Sequence, residues 1–223
     1  MTEQIINIQK LKFSYDGTNN VLDVKELQID EAQKVFLYGP SGHGKSTLLN
    51  IIAGVLTPSS GEINILGNDF KNISQGKRDK IRGENIGYIF QNFNLIPYLN
   101  IKDNITLPCR INPRRAQSLD YEIQADEIIE NLGLTEHVLK KVTDLSIGQQ
   151  QRVAAARALI GNPKLVIADE PTSSLDEKNT EEFMKLLINE CNRRKFTLLF
   201  VSHDSRLKQY FSRSLSLSEI NKI

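Results

Sequence analysis

The run Gly39-Pro40-Ser41-Gly42-His43-Gly44-Lys45-Ser46 constrains this chain more than any other, because it fits G-x-x-x-x-G-K-[ST]. Its glycines let the backbone wrap closely around phosphate groups and aim N–H donors at them. The run follows a short apolar strand candidate at 34–38 (KVFLY) and opens a helix candidate at 45–55 (KSTLLNIIAGV). That order presents a helix N-terminus, with its orphan N–H groups and positive dipole end, to an anion. On this mechanism Lys45 reaches the β- and γ-phosphates and the Ser46 hydroxyl holds Mg²⁺. Roughly one chain of this size in a hundred carries the pattern by chance, and the strand-loop-helix context lowers that further.

The partner of such a loop is a carboxylate at the end of a buried strand. Leu165-Val166-Ile167-Ala168-Asp169-Glu170 supplies one, since α/β ligand sites form at the C-terminal edges of parallel strands. Asp169 is read as the Mg²⁺ partner and Glu170 as the carboxylate that polarises the attacking water. Alone, Asp-Glu after a strand is more often a loop signal; beside the phosphate loop it reads as a hydrolysis site.

The flanking pattern agrees with such a sheet. Residues 5–15 and 21–29 alternate polar and apolar around the turn Asp16-Gly17-Thr18-Asn19-Asn20, which predicts an antiparallel pair. Further strands are expected at 62–66, 86–91, 164–168 and 196–201, and helices at 120–132, 146–159 and 177–193. Buried strands alternating with helices imply a mainly parallel sheet covered on both faces. Between about 100 and 160 no strand pattern interrupts, which reads as a helical insertion. The charged stretch 71–84 mixes both signs and reads as a solvated face.

Composition sets outer limits. With 39% hydrophobic and 25% charged residues among 223, the chain is too apolar for disorder. Its two cysteines, Cys109 and Cys191, lack metal-ligand spacing and suit reduced thiols in a cytosolic protein. No run approaches the roughly 18 apolar residues of a membrane span, and the first residues lack a signal-peptide core. The formal net charge of +1 argues against a nucleic-acid partner.

Further residues separate one group of phosphate-loop proteins from the rest. Leu145-Ser146-Ile147-Gly148-Gln149 precedes the Asp169-Glu170 strand, Gln91 closes a strand, Ser174-Leu175-Asp176 follows Glu170, and His203 follows FTLLFV. In this order, over almost the whole chain, they resemble the signature, Q-loop, D-loop and switch histidine of the ATP-binding-cassette (ABC) ATPases. Ile147 departs from the usual LSGGQ by replacing its first glycine. The resemblance implies an α/β fold: a P-loop ATPase core with an antiparallel β-subdomain and an inserted α-helical subdomain. It divides the chain into a core of residues 1–91 and 162–223 and a helical signature subdomain at about 92–161. Residues 214–223 follow the last expected strand closely, so no regulatory domain is expected after it.

The resemblance also assigns roles. Catalytic positions are Glu170, His203, Lys45 and Gln91. Nucleotide contacts are Tyr15 (stacking on adenine), Gly39, Pro40, Ser41, Gly42, His43, Gly44, Lys45, Ser46, Thr47, Gln91 and Asp169. Ser146, Gly148, Gln149 and Asp176 act in trans, from a second cassette. Mg²⁺ falls to Ser46, Gln91 and Asp169. Each residue alone has a plainer reading: Ser146 as a helix cap, Gln91 as a strand-end polar group, His203 as a surface residue, Tyr15 as packing. The family's two cassettes sandwich two ATP molecules, which implies a homodimer, or a heterodimer with a similar ATPase. The apolar segment 92–99, with Asn104-Ile105 and Leu107-Pro108 after it, is similar to the lipoprotein-release and macrolide-export branch. That implies a separate integral-membrane permease docking near 91–99, and a peripheral location on the cytoplasmic face of the inner membrane. A division-type ATPase that signals through its membrane partner stays open, as does, less favoured, a soluble member without a permease. Chromosome-type members are excluded, because the span from Lys45 to Ser146 leaves no room for a coiled coil.

Overall fold

The computed structural model describes residues 3–40, 42–116 and 120–223. In chain order its strands are β1 (Gln4–Phe13), β2 (Leu22–Asp30), β3 (Lys34–Tyr38), β4 (Ser60–Ile65), β5 (Asn68–Asp69), β6 (Ile86–Ile89), β7 (Leu165–Asp169), β8 (Thr197–Val201) and β9 (Arg213–Ser216). Its α-helices are α1 (Lys45–Ile52), α2 (Gln75–Asn85), α3 (Ile101–Ile111), α4 (Pro113–Ala116), α5 (Tyr121–Asn131), α6 (Ile147–Leu159), α7 (Glu177–Arg194) and α8 (Leu217–Ile220). The chain divides into two compact units, one running to Arg82 and resuming at Thr197–Ile223, the other Gly83–Phe196.

In the first unit, the antiparallel pair expected from the alternation is β1 with β2, in register from Ile6↔Ile29 to Phe13↔Leu22. They belong to a four-stranded sheet of order β2-β1-β4-β5. Along β1 Ile5 is buried, as are Ile6 and Ile8 on one alternation and then Leu11 and Phe13 on the other, so the alternation slips by one residue. The extra residue is absorbed at Lys10, whose φ is +50°, where the pairing of β1 with β4 is also interrupted. This is a β-bulge, which keeps both halves of the strand facing one core.

Also in this unit, β3 pairs in parallel with β8 through Lys34↔Leu198 to Leu37↔Val201. On its other side it pairs in parallel with β9, from Val35↔Arg213 to Tyr38↔Ser216. Phe36, Phe200 and Phe211 meet here with ring centroids 5.3–6.2 Å apart. The sequence reading places no strand at 213–216, because Arg-Ser-Leu-Ser has neither an apolar run nor strand propensity. It is a strand because β3 offers it an unpaired edge. The helix α2 falls in the stretch read as a solvated face, and of its residues only Arg78 is buried.

In the second unit, β6 and β7 pair in parallel, Ile86↔Leu165 through Ile89↔Ala168. β6 ends two residues before Gln91, which sits in a turn. Around them lie helices whose starts are written in the sequence. Asn100, Asp120, Ser146 and Asp176 cap α3, α5, α6 and α7 through their side chains, each satisfying an orphan N–H. The alanines of α6 are buried, as are Val153 and Leu159. A Cβ at Gly87 would lie 2.2 Å from the Ala158 carbonyl oxygen, so β6 rests on the helix backbone and only glycine fits there. Cys109 and Cys191 are buried and not joined in a disulfide, and the Cys191 thiol donates to the Phe196 carbonyl at 3.3 Å. Among the described residues no helix is long and apolar enough to cross a membrane.

Candidate nucleotide site

The phosphate loop lies in the first unit, between β3 and α1. Four longer helices of the chain are capped by side chains, yet α1 has Gly44 at its N-cap and no side-chain cap. A helix start without a side-chain cap suits a phosphate, whose oxygens can accept from the first N–H groups. Gly42 and Gly44 have φ of +79° and +89°. At Gly44 a Cβ would also meet Leu22 Cδ2 at 2.8 Å and the Val21 carbonyl at 3.0 Å, so conformation and space both require glycine.

Lys45 is buried and its Nζ donates to the carbonyls of Gly39 at 2.8 Å and Pro40 at 3.1 Å. The ammonium is thus held over the loop's own turn. Gly42, His43 and Ser46 are exposed; Ser41 lies outside the described residues. Thr47 is buried with its Oγ1 3.2 Å from the Tyr15 hydroxyl. Tyr15 is 66% exposed and edge-on to Phe13 at 4.8 Å, so most of its ring is open to a ligand. His203 is exposed, two residues beyond β8.

A residue that sequence reading missed braces this loop. Asn221 is buried; its Oδ1 accepts from the Asp23 amide at 2.7 Å, and its Nδ2 donates to Val21 and His43 carbonyls at 3.3 and 3.4 Å. Nothing in the local pattern around Asn221 signals this, since its partners are some 180 to 200 positions away.

The second unit holds the remaining candidates. Asp169 ends β7, and its Oδ2 lies 3.4 Å from the Tyr88 hydroxyl on β6. Burial, and then the Asp169 charge, push the Tyr88 phenol above its ordinary range, so it stays a neutral donor. Glu170, the next residue, has φ of +45°. A non-glycine residue there costs on the order of 1–3 kcal/mol, and such strain gathers at functional positions.

The signature residues form a capping box. Ser146 Oγ accepts from the Gln149 amide at 3.3 Å and Gln149 Oε1 accepts from the Ser146 amide at 2.9 Å, so the plain cap reading of Ser146 is realised. Ile147 is 52% exposed and points no bulk into the core.

The structure joins Gly148 and Asp176 through Asn179, which sequence reading also missed. A Cβ at Gly148 would lie 3.0 Å from Asn179 Oδ1. Asp176 accepts from the Asn179 amide and from its side chain, both at 2.8 Å. Those two bonds hold the Asp176 carboxyl below the usual carboxylate range. The Asp-x-x-Asn spacing is the available sequence signal, as an N-cap with a reciprocal partner.

Beyond Gln91, Asn104 is fully buried and fixes the segment before α3. Its Oδ1 accepts from the Ile96 amide at 2.8 Å, and its Nδ2 donates to the carbonyls of Ile96, Leu99 and Asn100. A groove of about 520 Å³ is lined by Asn92, Phe93, Leu95, Pro97, Val142 and Gln150, among others. Tyr98 stands nearby in sequence, 76% exposed.

Comparison with known proteins places the chain in a family. Residues 22–173 match the family of ABC transporters. The chain is 36% identical to the lipoprotein-releasing system ATP-binding protein LolD of Hydrogenovibrio crunogenus, over 98% of this chain and 96% of that protein. It is 35% identical to the macrolide export ATP-binding/permease protein MacB of Bdellovibrio bacteriovorus, covering 96% of this chain but a third (33%) of that longer protein. Its fold matches the cassette MJ0796, solved as a dimer in a post-hydrolysis state bound to ADP and Pi, with TM-score 0.83 and 35% identity. That match covers 95% of this chain and 93% of the other. With a phosphate loop on an uncapped helix, a carboxylate pair ending β7 and a signature capping box, the chain belongs to the ABC transporter family, as an ATP-binding and ATP-hydrolysing subunit similar to LolD and MacB.

Proposed function

We propose that this chain dimerises around two ATP molecules and that ATP hydrolysis drives a separate integral-membrane permease. In this reading the loop Gly39–Ser46 and the N-terminus of α1 bind the phosphates, with Lys45 neutralising charge on the β- and γ-groups. Tyr15 supplies the face on which adenine stacks, and Thr47 orients it through its hydroxyl. Ser46, Asp169 and Gln91 would hold Mg²⁺, whose chemistry is charge neutralisation at the phosphate oxygens. The donor set is hard oxygen throughout, which suits that ion.

Glu170 accepts a hydrogen bond from the attacking water and aligns its lone pair with the γ-phosphorus, assisted by His203. As the water oxygen bonds to the γ-phosphorus and gives up its proton to the Glu170 carboxylate, the bond from that phosphorus to the β–γ bridging oxygen breaks, its electron pair stays with ADP, and inorganic phosphate and ADP depart. Ser146, Gly148, Gln149 and Asp176 act on the nucleotide of the second cassette. The names of the relatives support a permease partner, with the groove beside Phe93 and Leu95 and the exposed Tyr98 as its docking surface. Such a subunit is peripheral, on the cytoplasmic face of the inner membrane.

The observation that carries this reading is Glu170, a strained carboxylate directly after Asp169. Backbone strain gathers at functional positions, and here it falls on the carboxylate next to the candidate metal ligand. The test is Glu170→Gln, measured for ATP turnover and for dimer formation by size-exclusion chromatography. Turnover is expected to fall at least about 100-fold, with an ATP-dependent dimer accumulating; turnover at the wild-type rate overturns the role.

A further inference from the structure

We infer that Arg157 is a positioning residue that locks the segment following Gln91 onto the C-terminal end of the signature helix. Arg157 lies on α6, and its two terminal nitrogens donate separately, Nη1 to the Asn94 carbonyl and Nη2 to the Phe93 carbonyl, each at 2.6 Å. Phe93 and Asn94 have φ of +59° and +50°. Two consecutive non-glycine residues in the left-handed region are intrinsically unfavourable, and for a bulky aromatic residue especially so. The conformation therefore needs an external hold, and a planar fork with two diverging donors is suited to gripping two successive carbonyls. No carboxylate partners Arg157 among the described residues, and burial lowers its pKa. A half-buried cation whose two terminal nitrogens go to two backbone oxygens points to those oxygens as its purpose.

The other end of the same stretch is fastened to the same helix. Arg115, buried, donates to the Ile86 carbonyl at 2.8 Å and, on α6 and just past it, to Ala158 at 2.8 Å and Ile160 at 2.9 Å. Between these two arginines β6 rests on α6 at the Gly87–Ala158 approach. Residues 86–94, with Gln91 among them, are thus attached to the end of α6 at both ends, through Ile86 and Gly87 at one and Phe93 and Asn94 at the other. A displacement of the signature helix then carries Gln91 with it, and Arg157 is the contact that transmits this beyond the strand.

This rests on the reading of Gln91 as a nucleotide-site residue, and the experiment separates the two. Hydrogen–deuterium exchange and steady-state ATPase kinetics are measured on the full chain, on Arg157→Gln, on Arg157→Lys and on Gln91→Ala. For Arg157→Gln, exchange in peptides spanning 90–98 is expected to rise about tenfold, with peptides in 147–156 and 165–169 within about twofold of wild type. Its kcat is expected to fall about tenfold with KM for ATP little changed. Arg157→Lys, a point charge able to reach one carbonyl, restores part of both and serves if Arg157→Gln does not fold. Unchanged exchange at 90–98, a rise spread evenly over α3 to α6, or a local rise with wild-type kcat each overturns the proposal. Wild-type turnover in Gln91→Ala sinks the role of Gln91 while the exchange result for Arg157 still reads out the clamp.

Discussion

The hydroxyl of Tyr88 on β6 lies 3.4 Å from Oδ2 of Asp169 at the end of β7, so a neutral phenol faces the carboxylate assigned to the metal. The Tyr88 pKa is raised above 10.0 by burial first and by the charge of Asp169 second. For a group whose folded pKa is raised, stability is fully present below the unfolded value and is lost as pH rises. Above pH 10 the wild type should therefore lose on the order of 1 kcal/mol per pH unit from this residue. Tyr88→Phe removes that slope. Melting curves between pH 8 and 11 check it, and parallel curves for the two proteins refute it.

Glu170 sets stability against turnover. Glycine adopts a φ of +45° without the Cβ penalty, so Glu170→Gly is expected to gain up to about 1 kcal/mol of stability. The same change deletes the carboxylate that orients water, and turnover should fall at least about 100-fold. Urea denaturation and ATPase assays on one preparation suffice; a stabilised variant that still hydrolyses ATP contradicts the assignment.

Ser146 has two roles that a single substitution can pull apart. Aspartate is as good an N-cap as serine, so Ser146→Asp should leave stability within about 0.5 kcal/mol of wild type. A negative charge aimed at a γ-phosphate should nevertheless abolish ATP-dependent dimerisation. Serine acting only as a cap predicts normal dimerisation by light scattering, whereas Ser146→Ala should cost about 1 kcal/mol.

Gln151, on the same helix, is fully buried, and neither its Oε1 nor its Nε2 has a hydrogen-bond partner among the described residues. Unsatisfied buried amide atoms cost about 1–3 kcal/mol each. Gln151→Met keeps the length and volume while removing the polar atoms, so a gain of about 1 kcal/mol is expected in guanidinium unfolding. A loss of that size would show that the amide is satisfied after all.

Much of the site was legible because its chemistry is local. The loop 39–46 is contiguous, Gly42 and Gly44 are required by their own φ, and α1 follows directly. Asp169 and Glu170 are adjacent at a strand end, and the Ser146–Gln149 box lies within one helical turn. Antiparallel β1 and β2 follow from alternation plus a turn, both short-range signals. The slip at Lys10 was legible only in part: Ile6 and Ile8 followed by Leu11 and Phe13 record the change of phase, but not that a bulge absorbs it.

Other features depended on partners distant in sequence. β9 has no strand-like pattern and exists because β3 has an edge to pair. Asn221 braces Val21 and His43 from some 180 to 200 residues away. Arg157 grips carbonyls 63 and 64 residues back, and any exposed arginine on a helix would look the same in sequence. The sequence by itself determined the phosphate chemistry and the order of the motifs, because a backbone cradle and a helix cap are built from neighbouring residues. Only the tertiary structure decided which side chains hold those motifs in place, because hydrogen bonds to backbone carbonyls select for geometry and leave no periodic trace in the chain.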